Sequence, residues 1–272
     1  MSDYDRNIAA APFGRTMGQV GSVAVDEGLR AYMLRIYNYM ALGLAITGCA
    51  ALGIYMLSVT GEMSAAAKVL RAGAEVPARI GNNTFLTPIG YFLFASYMKW
   101  VVMLAPLALV FVLGFGIERM RPATAQILFW IYAGLVGVSL ATVFMVFTQT
   151  SVVRVFFITA ASFGALSLYG YTTQRDLTGM GSFLMMGLFG IIIASLVNLF
   201  LHSSGLQWVI SVLGVGIFAG LTAYDTQRIK EMYSSAYDDG TIGRMAVMGA
   251  LSLYLDFINL FLYLLRFMGD RR

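Results

Sequence analysis

Seven long apolar runs divide this chain, and most are separated by connectors too short to hold a domain. They cover about residues 33–57, 99–117, 124–147, 152–171, 181–201, 206–224 and 242–268. Each is near the roughly 20 residues that a helix needs to cross a bilayer. Backbone groups in lipid must be satisfied within the segment, so helices are the economical solution. Of 272 residues, 59% are hydrophobic and only 12% are charged, against about 25% charged in a soluble domain. The expected fold is therefore all-α, a polytopic membrane bundle of seven transmembrane helices. Connectors 118–122, 148–151, 172–180 and 202–205 allow little but tight turns between antiparallel neighbours. One bundle domain is expected over 29–272.

Two stretches fall outside this pattern. Residues 1–28 are polar and Gly/Ala-rich, with no apolar run near the start, and read as a disordered cytoplasmic tail on which Phe13 and Arg15 could dock. Residues 58–98 form a long extramembrane or interfacial insertion. Within it, 62–74 reads as a short amphipathic helix, Asn82, Asn83, Thr84 and Pro88 break regular structure beyond it, and 91–97 is aromatic enough for the interface.

Orientation follows from the basic residues. Arg30 and Arg35, Arg119 and Arg121, Arg175, and Arg228, Lys230 and Arg244 fall on one side if the N-terminus is cytoplasmic. Arg154 falls on the other. A full seventh crossing then leaves Arg266, Arg271 and Arg272 outside, against the charge rule. A segment that dips in and returns would avoid this, but about 25 helix-compatible residues without proline favour the crossing. The lone cysteine, Cys49, excludes an intrachain disulfide and reads as a small buried residue. The basic residues are scattered at helix ends, which does not suit nucleic acid. Gly134, Gly137, Gly187, Gly190, Gly216 and Gly220 are expected to serve close helix packing.

The chemistry concentrates near the C-terminus. Asp256 lies inside the seventh run, where a carboxylate costs roughly 2.5–3.5 kcal/mol on insertion scales. Ser252, Asp256, Asn259, Tyr263 and Arg266 recur at helical steps, which draws one polar stripe that must face protein or water. Asp225 ends the sixth run. Asp256 is about ten residues, or about 15 Å, further in. The two can meet only if the sixth helix continues beyond the apolar run, through Arg228 to Tyr233. A poorly solvated carboxyl pair cannot ionise twice cheaply, so it would share one proton and act as a proton switch. It would also supply part of a Ca²⁺ site. Asp225 is equally compatible with a plain interfacial bridge to Arg228. Ser195, Asn198 and His202 lie at helical steps on segment five and could meet the stripe. Known enzyme signatures are absent: HExxH, GxSxG, a Walker motif, and the Gly-x-Gly-Asp surround of intramembrane aspartyl proteases. No catalysis and no cofactor are expected.

The runs Ala-Tyr-Asp-Thr-Gln-Arg-Ile at 223–229 and Ala-Leu-Ser-Leu-Tyr-Leu-Asp-Phe-Ile-Asn-Leu-Phe at 250–261, with Leu-Leu-Arg at 264–266, resemble the Bax inhibitor-1 (transmembrane Bax-inhibitor-motif) family. The insertion is similar to that of longer bacterial members. The resemblance implies six helices around a central C-terminal helix, in a bacterial inner membrane. It implies a pH-sensitive calcium leak with Asp225 and Asp256 as sensor; on that reading the pair is also the expected cation site, and the stripe residues Ser252, Asn259 and Tyr263 are expected to line or plug the path. It further implies a latch on the aspartates from a basic residue after segment two, where Arg119 and Arg121 both stand. The alternative that it implies is a non-transporting modulator of a membrane-anchored AAA protease, grasped through the tail.

Overall fold

The computed structural model describes residues 17–71, 74–81 and 84–272. Its long helices are α1 (Met17–Ser58), α3 (Met98–Gly116), α4 (Pro122–Val146), α5 (Gln149–Thr172), α6 (Thr178–Leu201), α7 (Ser204–Glu231) and α8 (Asp239–Met268), with a short α2 (Pro88–Phe94). All seven long helices are long and apolar enough to cross a membrane. Phe13 and Arg15 lie outside the described residues. With them lie the other residues up to 16, whereas residues 17–28 of the expected tail form the start of α1.

The centre of the bundle is α8. Its apolar window is 61% buried, against 11% for α6, and it packs on α1, α4, α5 and α7. The expected ring of six is therefore two layers, since α3 packs chiefly on α4 and α6 on α7. A helix enclosed on nearly every side is apolar beyond any polar stripe that faces protein, and Leu253, Tyr254, Leu260 and Leu265 are buried accordingly. Lipid tails are as apolar as leucine, so close packing and hydrogen bonds must hold the helices together. Tyr254 supplies both. Its ring meets Phe129 and Tyr132 of α4 edge-on at 5.7 Å each. Its hydroxyl is 2.7 Å from Thr47 Oγ1 of α1, and Thr47 in turn donates to Ala133 O of α4 at 2.9 Å.

No bend interrupts α8. It starts beside the α7–α8 turn and ends beside the α4–α5 turn, on the opposite face. There Asp270 O accepts from Thr148 N at 3.0 Å, Arg272 N donates to Val146 O at 3.0 Å, and Arg272 Nη1 donates to Tyr55 OH at 2.8 Å. Segment seven crosses completely, despite Arg266, Arg271 and Arg272.

At its other end α8 is capped by Asp238, whose side chain accepts from Thr241 N at 3.0 Å and from Thr241 Oγ1 at 2.6 Å. These bonds hold the Asp238 carboxyl below its ordinary value, and Arg244 adds to the effect. A carboxyl depressed in the folded state contributes stability above its unfolded pKa, about 3.9, and that contribution fades as pH falls through the folded value. Asp238→Ala is expected to lower the melting temperature in detergent at pH 7, with the gap to wild type narrowing as the pH falls below the ordinary carboxylate range.

The insertion departs from expectation. In place of a helix over 62–74 there is a 3₁₀ turn (Met63–Ala65) followed by β2 (Lys68–Arg71) paired with β3 (Ala74–Pro77). A second sheet orders β1 (Val59–Thr60), β5 (Thr84–Leu86) and β4 (Arg79–Gly81). A dozen residues make a marginal helix alone. Here long-range pairing wins: Ala67 N donates to Leu86 O at 2.7 Å, Ala78 N to Ala67 O at 2.8 Å, and Leu86 N to Ala78 O at 2.8 Å. The aromatic stretch begins in α2, which is capped by Thr87 with a proline at its start. Ile89 and Phe92 of α2 are exposed, as an interfacial helix requires. Cys49 is exposed, contrary to expectation. It lines an open cleft between α1 and α5.

Candidate functional site

The two aspartates meet, and the geometry of α7 and α8 explains how. Helix α7 continues past its apolar run to Glu231. Helix α8 starts well before its partner ends, so that Ile229 lies against Gly249, with its Cγ2 3.3 Å from where a Cβ would stand. That offset removes the depth difference of about 15 Å. The Asp225 carboxyl lies beside Ser252 and Asp256. Asp256 is only 5% exposed, and its Oδ2 has no partner among the described residues. Two neighbouring carboxyls escape mutual repulsion when a proton lies between them. The cation acting on Asp225 is Arg228, one turn on along α7, and its own side chain is exposed.

The expected latch is not made in this conformation. Arg119 and Arg121 are exposed on the turn between α3 and α4. The neighbouring Pro122 packs on Gly243, its Cβ 3.0 Å from where a Cβ on Gly243 would stand. Gly243 is thirteen residues, about 20 Å of helix, from Asp256. An arginine side chain does not span that distance.

The stripe on α8 faces α7 and α6. Ser252 is engaged with Asp225. Asn259 Nδ2 turns back to Leu255 O at 2.8 Å. The Tyr263 ring stacks on Phe218 at 5.6 Å, fills the space that Gly214 leaves, and lies beside Ser195. Arg266 lies over the same ring at 5.8 Å. These residues close the α7–α8 seam in this conformation. Of the segment-five trio, only Ser195 joins them. Asn198 accepts from Ser203 N at 3.0 Å, and His202, in the left-handed conformation, ends α6 with an exposed ring.

Other functional positions were not singled out from sequence. A buried hydroxyl chain runs from Tyr37 OH of α1 to Ser167 Oγ of α5 at 2.7 Å, and on to Thr226 Oγ1 of α7 at 2.9 Å. Thr226 follows Asp225 directly. Next in sequence, Gln227 clamps the α5–α6 turn. Its Oε1 accepts from Leu177 N and its Nε2 donates to Arg175 O, both at 2.8 Å. Lys230 Nζ then donates to Tyr171 O at 2.9 Å, at the end of α5. Almost every polar residue of the α7 motif thus has a packing task around the aspartate. The available signal was the density of hydrogen-bonding side chains in 222–230. Gln227→Ala leaves a buried N–H unpaired, for which a loss of about 1–3 kcal/mol is expected. Thermal unfolding in detergent checks this.

Calcium binds six to eight oxygens. Two carboxyls and one hydroxyl fall short of that number, and the described residues hold no cluster of three or more His, Cys, Asp or Glu side chains that could bind a metal.

Comparison with known proteins agrees with this architecture. A family model described as "Inhibitor of apoptosis-promoting Bax1" matches residues 29–272. An uncharacterised protein of Rickettsia prowazekii is 47% identical over the full length of both chains, and one of Caulobacter vibrioides is 42% identical over the same extent. The inner membrane protein YbhL of Escherichia coli is 40% identical over 247 residues, 90% of this chain and 94% of its own. The chain therefore belongs to the Bax inhibitor-1 family of multi-pass membrane proteins.

Proposed function

We propose that this protein is a pH-sensitive, calcium-permeable leak of the bacterial inner membrane, with a cytoplasmic N-terminus and no enzymatic role. One observation carries the reading: Asp256, buried inside the central helix, faces Asp225 with an oxygen left unpartnered. Ionisable residues at such depth mark ion and proton pathways. With one proton shared, the pair ties α7 to α8 and the seam stays shut behind Asn259 and Tyr263. Removing that proton leaves two carboxylates facing each other. The helices part at that level, and the same oxygens attract a divalent cation. The basic loops on the face where α1 begins support a cytoplasmic N-terminus, and the relative YbhL is named as an inner membrane protein. The reading is tested by calcium entry into proteoliposomes holding the purified protein, measured from about pH 5 to pH 8. Flux that rises with pH supports it. Absence of protein-dependent calcium flux at every pH would falsify it.

A further inference from the structure

A long groove runs between α1 and α5, which do not pack closely on each other. Two contiguous cavities of about 930 Å³ and about 560 Å³ make it up, sharing Ala41, Leu44, Phe156 and Phe257. Its floor is the Phe257 side of α8. The walls are apolar except at one end. There Glu27 and Arg30 stand one helical turn apart at the mouth, and the Tyr37–Ser167 hydroxyl pair lies about 10 Å deeper along α1. Among the described residues neither Glu27 nor Arg30 makes an ion pair. From Arg30 to Leu44 is about 21 Å of helix, which covers one leaflet of about 15 Å, half of a hydrocarbon core of about 30 Å.

We infer that this groove is a binding site for one bilayer phospholipid with a zwitterionic, ammonium-bearing headgroup. Arg30 meets the phosphate and Glu27 the ammonium. Tyr37 and Ser167 lie at the level of the glycerol esters, and an acyl chain runs along Leu44, Phe156 and Phe257. Opposite charges one turn apart complement a headgroup that carries both signs. A purely anionic lipid would satisfy Arg30 and meet repulsion from Glu27. The site also adjoins the aspartates, since Phe257 follows Asp256 and Thr226, bonded to Ser167, follows Asp225. The inference itself does not depend on calcium flux.

The test is native mass spectrometry of the full chain, extracted in mild detergent from vesicles with equal parts phosphatidylethanolamine, phosphatidylglycerol and phosphatidylcholine of matched chains. Wild type is expected to retain one lipid per protomer, predominantly phosphatidylethanolamine. Arg30→Gln, a change at an exposed residue, should cut retention about tenfold, and Glu27→Gln should erase the preference over phosphatidylglycerol. Gly164 lines the groove, and a Cβ there would meet nothing within 4 Å, so Gly164→Trp should fill the space and expel the lipid. Ala160→Phe is a second blocker for use if the tryptophan variant does not fold. Equal retention of all three lipids, undiminished retention in a folded blocking variant, or a lipid-free dimer seated on this face would each overturn the inference.

Discussion

Asp256→Asn is expected to flatten the pH profile of calcium flux and hold it at the wild-type acidic level. The amide can donate to Asp225 at any pH, so it takes the place of the shared proton permanently. In wild type, removing that proton sets two like charges against each other. At about 4 Å, with an effective dielectric constant of about 20, such a pair repels by about 4 kcal/mol. That is enough to move a closed-to-open ratio by several powers of ten. A change of at least about tenfold in wild-type flux between pH 5 and pH 8 is therefore expected, with little change in the variant. Asp225→Asn should behave alike, and the double variant should add nothing to either, because both act through one shared bond. Ser252→Ala removes a donor to Asp225 but leaves both carboxyls, so it should shift the profile without abolishing it. If single asparagine variants keep the full wild-type pH response, the pair is not the switch, even if calcium passes.

The parts of this molecule that could be read from sequence are those on which lipid imposes a strict rule. Apolar length locates all seven spans, although α1 begins and α7 ends well outside its run, because a helix satisfies its own backbone in hydrocarbon. Asp256 was visible for the same reason. Its meeting with Asp225 depended on helix α7 outrunning its own hydrophobic stretch, which composition permits but does not require. The hydroxyl chain of Tyr37, Ser167 and Thr226 stayed hidden, because serine and threonine often bond their own helix backbone and give no periodic signal. Thr226 does both, and its Oγ1 also donates to Thr222 O at 2.7 Å. In the insertion, a window such as Lys68–Arg71 suits helix or strand equally, and the second sheet pairs residues up to 27 apart, as Val59 with Leu86. Small-residue spacing fared unevenly. Gly137 and Gly220 are close-packed as expected, whereas a Cβ on Gly190 or Gly216 would touch nothing within 4 Å. Spacing identifies a face but not what stands opposite it.

The glycine whose replacement should do most damage is Gly170 of α5, which the spacing did not pick out. A Cβ there would collide with Ala223 O of α7, and would lie 2.9 Å from Ala223 C and 3.0 Å from its Cα. These are backbone atoms, so no rotamer change relieves the contact and the two helices must separate. Separation also breaks what is built around that point. The Ser167–Thr226 bond lies one turn away in one direction, and the Lys230–Tyr171 bond adjoins it in the other. Overpacking alone costs about 1–3 kcal/mol, and each lost hydrogen bond adds about 1 kcal/mol. Gly170→Ala is expected to lower stability by about 3–5 kcal/mol on this sum, and Gly170→Val to prevent accumulation of folded protein. Gly164→Ala is the control on the same helix. It lacks any such neighbour and should gain about 0.5–1 kcal/mol from helix propensity. Folded yield and unfolding temperature in detergent measure all three. Because Ala223 is two residues from Asp225, any Gly170→Ala protein that survives should also show a displaced pH profile, whereas Gly164→Ala should not. A Gly170→Ala protein as stable as wild type would mean that α5 and α7 are not in backbone contact at this level, and the aspartate site would lose the wall that holds Asp225 against α8.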